Sequence, residues 1–336
     1  MTPFRLEDRF GRVATDLRVS LTDRCNLRCT YCMPAEGLDW LPDDVTLTDD
    51  EVVRLITVAV ERLGVDEVRF TGGEPLVRRG LVDIVARTRE AGERLGRPLE
   101  LSLTTNGLGL ARTAASLAAA GLDRVNVSLD TVRAETFAEI TRRDRLHDVV
   151  AGLEAAAEAG MTPVKVNAVL LRDVNDDQAG ELLDWCLERS YELRFIEQMP
   201  LDAQHGWSRS TMITAEEILE RLGRTHTLTP AVEPRGSAPA ERWLVDGGPA
   251  TVGVIASVTR PFCGDCDRVR LTADGQVRTC LFAREESDLR TAMRAGADDA
   301  ELADRWVTAM RGKAAGHGID DPTFLQPDRP MSAIGG

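Results

Sequence analysis

Leu17-Arg18-Val19-Ser20-Leu21-Thr22-Asp23-Arg24-Cys25-Asn26-Leu27-Arg28-Cys29-Thr30-Tyr31-Cys32 decides how the rest of the chain is read. Leu17–Leu21 alternates like a short strand, which puts three cysteines in a C-x3-C-x2-C array on the loop leaving it. Four thiols usually hold a four-iron cluster, so three leave one iron free to take a small molecule. Structural zinc normally closes with four ligands, and no His lies nearby to complete a set.

Around this array the chain is ordinary in composition, with 43% hydrophobic and 29% charged residues over 336 positions. That length suits one large or two modest domains. A net charge of −14 argues against nucleic acid or an anionic membrane surface as partner. Any cationic pocket must therefore be local. No apolar run approaches membrane-spanning length and Met1–Arg5 does not read as a secretory signal, so a cytoplasmic location is expected. Seven cysteines, an odd number, disfavour a disulfide framework. Six fall into two groups of three, Cys25, Cys29, Cys32 and Cys263, Cys266, Cys280. Cys186 sits in the apolar run Leu182–Leu187 and reads as core.

From Asp16 to about Pro200, strand-like runs (Leu17–Leu21, Glu67–Phe70, Leu99–Thr104, Arg124–Leu129, Val164–Leu170, Glu192–Ile196) alternate with helical ones. The helical runs are Asp49–Leu63, Gly80–Leu95, Ala111–Ala120, Leu146–Ala159 and Asp177–Arg189. Thr48-Asp49-Asp50-Glu51 is a capping box, and Gly64, Gly121 and Gly160 stand where helices stop. The expectation is an α/β fold, an incomplete (β/α)6 relative of the eight-fold TIM barrel spanning residues 1–200. A second domain, 201–336, follows, with helical runs at Thr214–Leu222, Ser287–Arg294 and Asp299–Arg311 and a hairpin around Asp274-Gly275. Chemistry in such folds sits at the carboxyl ends of the strands. There lie the cysteine array, Thr71-Gly72-Gly73-Glu74-Pro75, Thr104-Thr105-Asn106-Gly107, Ser128-Leu129-Asp130 and Glu197-Gln198-Met199-Pro200. Two glycines let backbone approach a ligand closely, and Glu74 or its neighbouring carbonyls can accept from an ammonium group.

The C-x3-C-x2-C array with an aromatic, Tyr31, before its last cysteine, followed by Gly72-Gly73-Glu74-Pro75, resembles the radical S-adenosylmethionine (radical SAM) superfamily. The resemblance implies a [4Fe-4S] cluster on Cys25, Cys29 and Cys32 whose open iron chelates the methionine part of S-adenosylmethionine. It also implies cofactor contacts from Tyr31, Gly73, Ser128 and Met199, and release of a 5′-deoxyadenosyl radical.

Cys263-Gly264-Asp265-Cys266 with Cys280 again offers three thiols, and on spacing alone a zinc with a fourth ligand such as His317 stays open. Beside the pair, Arg268 and Arg270 point the same way if Arg268-Val269-Arg270 is a strand, and guanidinium forks suit phosphate oxygens. With that array, the runs Leu17–Cys25, Arg69–Leu76, Leu103–Gly107 and Asn126–Asp130 closely resemble the GTP 3′,8-cyclase family, which opens molybdenum cofactor biosynthesis.

What this implies is a lyase with a second [4Fe-4S] cluster on Cys263, Cys266 and Cys280 that binds the guanine of GTP. Arg18, Arg69, Thr104, Lys165, Arg268, Val269 and Arg270 would contact GTP. Arg18, Arg268, Arg270 and the tail's Gly335-Gly336 would assist the chemistry. Hydrogen would leave ribose C3′, the C3′ radical would join guanine C8, and reduction by one electron with protonation would finish (8S)-3′,8-cyclo-7,8-dihydroguanosine 5′-triphosphate. A homodimer, a low-potential electron donor and a downstream cyclic pyranopterin monophosphate synthase are implied as partners. No G-x4-G-K-[ST] phosphate loop occurs, so an ordinary GTPase is excluded. Three rivals are kept: a two-cluster peptide maturase, for which the C-terminal part is cysteine-poor; an iron–sulfur redox sensor, which would not cleave S-adenosylmethionine; and a zinc-bearing binding module, decided by metal analysis.

Overall fold

The computed structural model describes residues 5–335. Six strands and their helices follow the sequence rhythm closely: β1 (Asp16–Ser20), α1 (Asp49–Leu63), β2 (Glu67–Thr71), α2 (Leu81–Arg94), β3 (Glu100–Thr105), α3 (Leu110–Ala119) and β4 (Arg124–Ser128). Then come α4 (Ala134–Thr141), α5 (Leu146–Glu158), β5 (Lys165–Val169), α6 (Ala179–Glu188) and β6 (Glu192–Ile196). Thr48 and Glu51 close their capping box at the start of α1, and Gly64 ends that helix at φ 80°.

The strands alternate with a clear division of labour. Leu17 and Val19, Val68 and Phe70, Leu101 and Leu103, Val125 and Val127, and Leu193 and Phe195 are buried in the main core. Each such side chain contributes roughly 1.5–3 kcal/mol by leaving water. The intervening positions, among them Arg18, Arg69, Thr104, Asn167 and Arg194, face a cavity. An ordinary eight-fold barrel fills its interior with branched apolar side chains. Here the strands instead turn arginine, threonine and asparagine side chains into a space that stays open.

The C-terminal part does more than append a domain. It supplies α7 (Ala215–Leu222), β7 (Leu228–Pro230), β8 (Glu241–Val245), β9 (Thr251–Ile255), β10 (Arg268–Leu271), β11 (Gln276–Arg278), β12 (Ser287–Asp288), α8 (Arg290–Arg294), α9 (Asp299–Arg311) and α10 (Met331–Ile334). All of its strands join the first six in one sheet, in the order β12-β11-β10-β1-β2-β3-β4-β5-β6-β9-β8-β7. β10 pairs parallel with β1, and β9 pairs parallel with β6. The six-unit half-barrel is thus widened by one parallel strand on each flank, and each addition carries an antiparallel hairpin outward.

Two expectations are corrected. Ser287–Arg294 begins as strand, Ser287–Asp288 pairing with Gln276–Val277, before α8 starts at Arg290. A helix absent from the sequence reading, α4, lies between β4 and α5. It is eight residues long and runs straight into the polar stretch Arg142–Arg145, so its period is too brief to stand out. Cys186 is fully buried in the main core, as its helix face suggested.

Candidate active site

The first cysteine loop is held from three sides. Cys32 N–H donates to Cys29 O at 3.0 Å, closing a turn. Arg28 Nη1 donates to Cys25 O (2.7 Å) and Leu27 O (2.8 Å). The end of α4 grips the loop: Thr30 N–H donates to Ile140 O (2.9 Å), Arg28 N–H to Thr141 O (3.1 Å), and Arg142 Nη1 to Arg28 O (2.8 Å). The helix missed in the sequence is what fixes the array. Burial pushes the Cys29 thiol well above its usual range, helped by Asp130, Cys32 and Cys25, and pushes Cys32 up to about 12. Without metal these are protonated, neutral thiols near neutral pH, because ionising one disfavours ionising its neighbours.

The Gly-Gly turn seats against this loop. Gly73 N–H donates to Thr22 O at 2.7 Å, and a Cβ on Gly73 would lie 2.4 Å from both Arg24 O and Asp23 O. Backbone that close leaves no room for a side chain. Gly73→Ala must therefore displace the segment that leads into Cys25. S-adenosylmethionine affinity is expected to fall at least about tenfold, with the fold retained, a loss that equilibrium dialysis and circular dichroism together would measure.

Glu74, which the sequence offered to an ammonium group, is committed elsewhere. It is fully buried and accepts from Thr105 Oγ1 (2.7 Å), Asn106 N–H (2.7 Å) and Leu76 N–H (2.9 Å). It splices the end of β2 to the end of β3, and only the neighbouring backbone remains for a ligand. Burial raises its carboxyl to about 7 against those hydrogen bonds.

Two cavities meet above the strand ends. One, about 770 Å³, is lined by Tyr31, Cys32, Ser128, Asp130, Met199 and Met331 among others. Tyr31 hydroxyl donates to Asp130 Oδ2 at 2.8 Å, and Val169 N–H donates to Asp130 Oδ1 at 2.8 Å. Burial raises the Asp130 carboxyl from 3.8 to about 6, outweighing both hydrogen bonds. A carboxyl raised on folding loses stability as pH climbs from its unfolded value, 3.8, to its folded value, about 6. Asp130→Asn keeps both contacts, its amide donating to Tyr31, and does not ionise. The metal-free variant is expected to match wild type near pH 3.8 and to exceed it above pH 6 by about 3 kcal/mol at most. Urea unfolding at the two ends of that range measures the difference.

The other cavity, about 1000 Å³, shares Thr104, Asn167, Ile196 and Met199 with the first. Five arginines line it: Arg18, Arg69, Arg194, Arg268 and Arg270. β10, β1 and β2 set Arg270, Arg18 and Arg69 side by side in register. Asp16 lies 3.4 Å from Arg18 and 3.5 Å from Arg268, and Glu67 pairs with Arg69. Three carboxylates, Asp16, Glu67 and Asp267, pair with these five guanidiniums, and Glu67 is shared with Arg124, so positive charge remains in excess along the wall. Burial lowers Arg270 and Arg194 to about 10, so both stay charged at neutral pH. Nε of Arg18, Arg69, Arg194 and Arg268 is buried without a hydrogen-bond partner. Orphaned buried donors of this kind call for an anionic acceptor, and several at once suit a polyphosphate.

The second cysteine group lines the same cavity through Cys263, Cys266 and Cys280. Burial alone would raise the Cys266 thiol. Lys313, whose Nζ lies 3.4 Å from the sulfur, and Arg268 outweigh it and hold it below its usual value. His317 is poorly placed as a fourth zinc ligand: its Nδ1 accepts from Ile319 N–H (3.1 Å) and its Nε2 faces Ser257 O (3.0 Å). Among the described residues, no three His, Cys, Asp or Glu side chains close around a single-ion position. A cube of four irons spreads its thiols more widely than one ion does, and the donor set of three soft thiols fits it.

Not every expected residue meets in these cavities. Lys165 lines an adjoining cavity of about 700 Å³, paired with Glu192 at 3.2 Å; Arg194 bounds both spaces. Val269 turns into the main core, leaving only its backbone near the site. Gly335 is buried in the described tail, and Arg270 Nη1 donates to its carbonyl. Gly336 lies outside the described residues. Arg194 and Asn167 went unnoticed in the sequence, although their alternation with Leu193 and Phe195 or Val166 and Ala168 would have marked them as inward-facing.

A model of the Radical SAM superfamily matches residues 19–186, and one of Molybdenum Cofactor Synthesis C matches residues 191–319. The fold is similar to that of SuiB from Streptococcus suis bound to S-adenosylmethionine, at a TM-score of 0.59 and 15% identity over 90% of this chain and 69% of that one. Cysteine loop, fold and family match together define a radical SAM enzyme, a class built on an iron–sulfur cluster and S-adenosylmethionine. The GTP 3′,8-cyclase of Streptomyces coelicolor is 68% identical over 98% of this chain and 96% of its own length, and that of Mycolicibacterium smegmatis 62% over 98% and 92%. The chain belongs to the GTP 3′,8-cyclase family. No helix among the described residues is long and apolar enough to cross a membrane.

Proposed function

We propose that the chain converts GTP to (8S)-3′,8-cyclo-7,8-dihydroguanosine 5′-triphosphate, the opening reaction of molybdenum cofactor biosynthesis. The observation that carries this reading is the shared wall of the two cavities, one beside the first thiols and one lined by arginines and the second thiols. When bound, a [4Fe-4S] cluster on Cys25, Cys29 and Cys32 and S-adenosylmethionine supply the 5′-deoxyadenosyl radical that starts the reaction. Tyr31, Gly73, Ser128 and Met199 hold the sulfonium cofactor. Cys263, Cys266 and Cys280 would hold a second [4Fe-4S] cluster, which would supply an iron for the guanine. Residues 1–200 thus serve as the radical core and share the substrate cavity with residues 201–336, which bring the second thiols, Arg268 and Arg270.

Arg18, Arg69, Arg268 and Arg270, with Arg194, bind the triphosphate and fix its sugar in place. Lys165 reaches it on leaving Glu192, and Val269 contributes backbone alone. Thr104 and Met199, common to both cavities, form the boundary across which ribose C3′ loses its hydrogen. Arg18, Arg268, Arg270 and the tail glycines Gly335 and Gly336 keep the substrate oriented and water out while C3′ joins C8. The protein works in the cytoplasm as a homodimer, takes electrons from a low-potential donor and passes its product to a cyclic pyranopterin monophosphate synthase.

Anaerobic incubation of the reconstituted chain with GTP, S-adenosylmethionine and dithionite is expected to give one equivalent of the cyclised nucleotide per 5′-deoxyadenosine, identified by mass and NMR. S-adenosylmethionine cleavage without any change in GTP would overturn the assignment.

A further inference from the structure

Beyond the hairpins the described chain folds back to the site, where Met331 lines the first cavity and Gly335 is buried. Gln326 Nε2 donates to Asp202 O (2.6 Å), and Met331 N–H donates to Leu201 O (2.9 Å). Ile334 packs with Leu201 and Phe282. Gly335 adopts φ 76°, and a Cβ there would lie 2.5 Å from Ser20 Oγ and 2.6 Å from Thr71 Cγ2. A four-residue helix such as α10 has almost no stability of its own, so its seat depends on what fastens it.

The charged fastening is Arg329. Its Nη1 and Nη2 form a fork on Asp274 at 2.8 and 2.7 Å, and Nη2 also lies 3.0 Å from Glu286. Asp274 is buried in the turn between β10 and β11, where Thr272 Oγ1 donates to it at 2.6 Å. Glu286 follows Cys280 on the next loop and pairs with the buried Arg278. One guanidinium therefore ties the tail to the hairpin that carries Arg270 and to the loop that leaves Cys280.

We propose that Arg329 is a positioning residue for the reaction: its fork on Asp274 and Glu286 seats the tail, and so sets the Gly335 carbonyl against Arg270. This rests on the reading of the site given above. Nothing in the fork touches the cavities that would hold cofactor or substrate. Its loss should loosen the tail while leaving radical generation possible.

The test compares wild type, Arg329→Ala, Arg329→Lys and Asp274→Asn, each as the full reconstituted chain. Hydrogen exchange at residues 331–335 is expected to speed up at least about tenfold in Arg329→Ala, with β3 unchanged, the factor lost with one well-made, partly buried charge pair. Arg329→Lys, a point charge without a fork, should fall between. Cyclised nucleotide formed per S-adenosylmethionine cleaved should drop by about the same factor, while cleavage itself stays within about threefold. Unchanged exchange at the tail overturns the fastening. Faster exchange with undiminished coupling overturns its role in the reaction, and so does an equal loss of cleavage and product. If wild type itself makes no cyclised nucleotide, the reading of the function falls, and the exchange data still decide whether Arg329 fastens the tail.

Discussion

Cys29→Ala protein, reconstituted without oxygen, is expected to hold about four irons per chain where wild type holds about eight, and to leave S-adenosylmethionine intact. Cys29 sits at the centre of a loop fixed by its own turn, by Arg28 and by the end of α4. Its thiol is buried and surrounded by groups that raise it, so no exposed side chain can replace it as a donor. The arginine-lined cavity lies across the shared wall and does not contain Cys29, so GTP should still bind. Iron content, 5′-deoxyadenosine yield and a GTP-binding isotherm distinguish this from general unfolding. Eight irons in the variant, or undiminished 5′-deoxyadenosine, would remove Cys25–Cys32 from the centre of the chemistry.

Arg270→Ala is expected to weaken GTP binding by roughly tenfold to a hundredfold, the range for losing charge-assisted hydrogen bonds of about 1.5–3 kcal/mol. Arg270 stands in register with Arg18, and burial has already stripped it of water, so its attraction for phosphate is poorly screened. It also holds the Gly335 carbonyl, which would be left without that donor. Isothermal titration with GTP reads the loss, and S-adenosylmethionine affinity should stay within about twofold. An unchanged GTP affinity would end the assignment of this row of arginines to the triphosphate.

The parts legible in the sequence are those written in short range. Strands β1 to β6 follow from alternation, α1 from its capping box, and the thiol arrays from spacing that no turn or core position requires. What escaped depends on partners far away in the chain. Nothing near Arg268 indicates that it will pair with Asp16, so β10 joining β1 in parallel was out of reach. For the same reason the C-terminal part reads as an appendage when its strands in fact extend the same sheet. Glu74 was offered a ligand because a carboxylate beside two glycines suits one, whereas the Thr105 and Asn106 donors that occupy it come from the next strand. The family resemblance implies a GTP contact for Lys165, while its pairing with Glu192, its neighbour across β5 and β6 beside the adjoining cavity, is not legible in either strand alone.

Because β10 and β9 cover β1 and β6, the order of synthesis matters. The amino-terminal strands leave the ribosome well before their flanking partners exist, and for that interval both borders of the half-barrel present unpaired backbone. A nascent chain in that state is adhesive on two sides and has its early thiols before it has Arg268 or Arg270. The arginine-lined wall is complete only once β10 has paired with β1, so the unfinished chain passes through an interval in which its exposed strand borders invite misassembly.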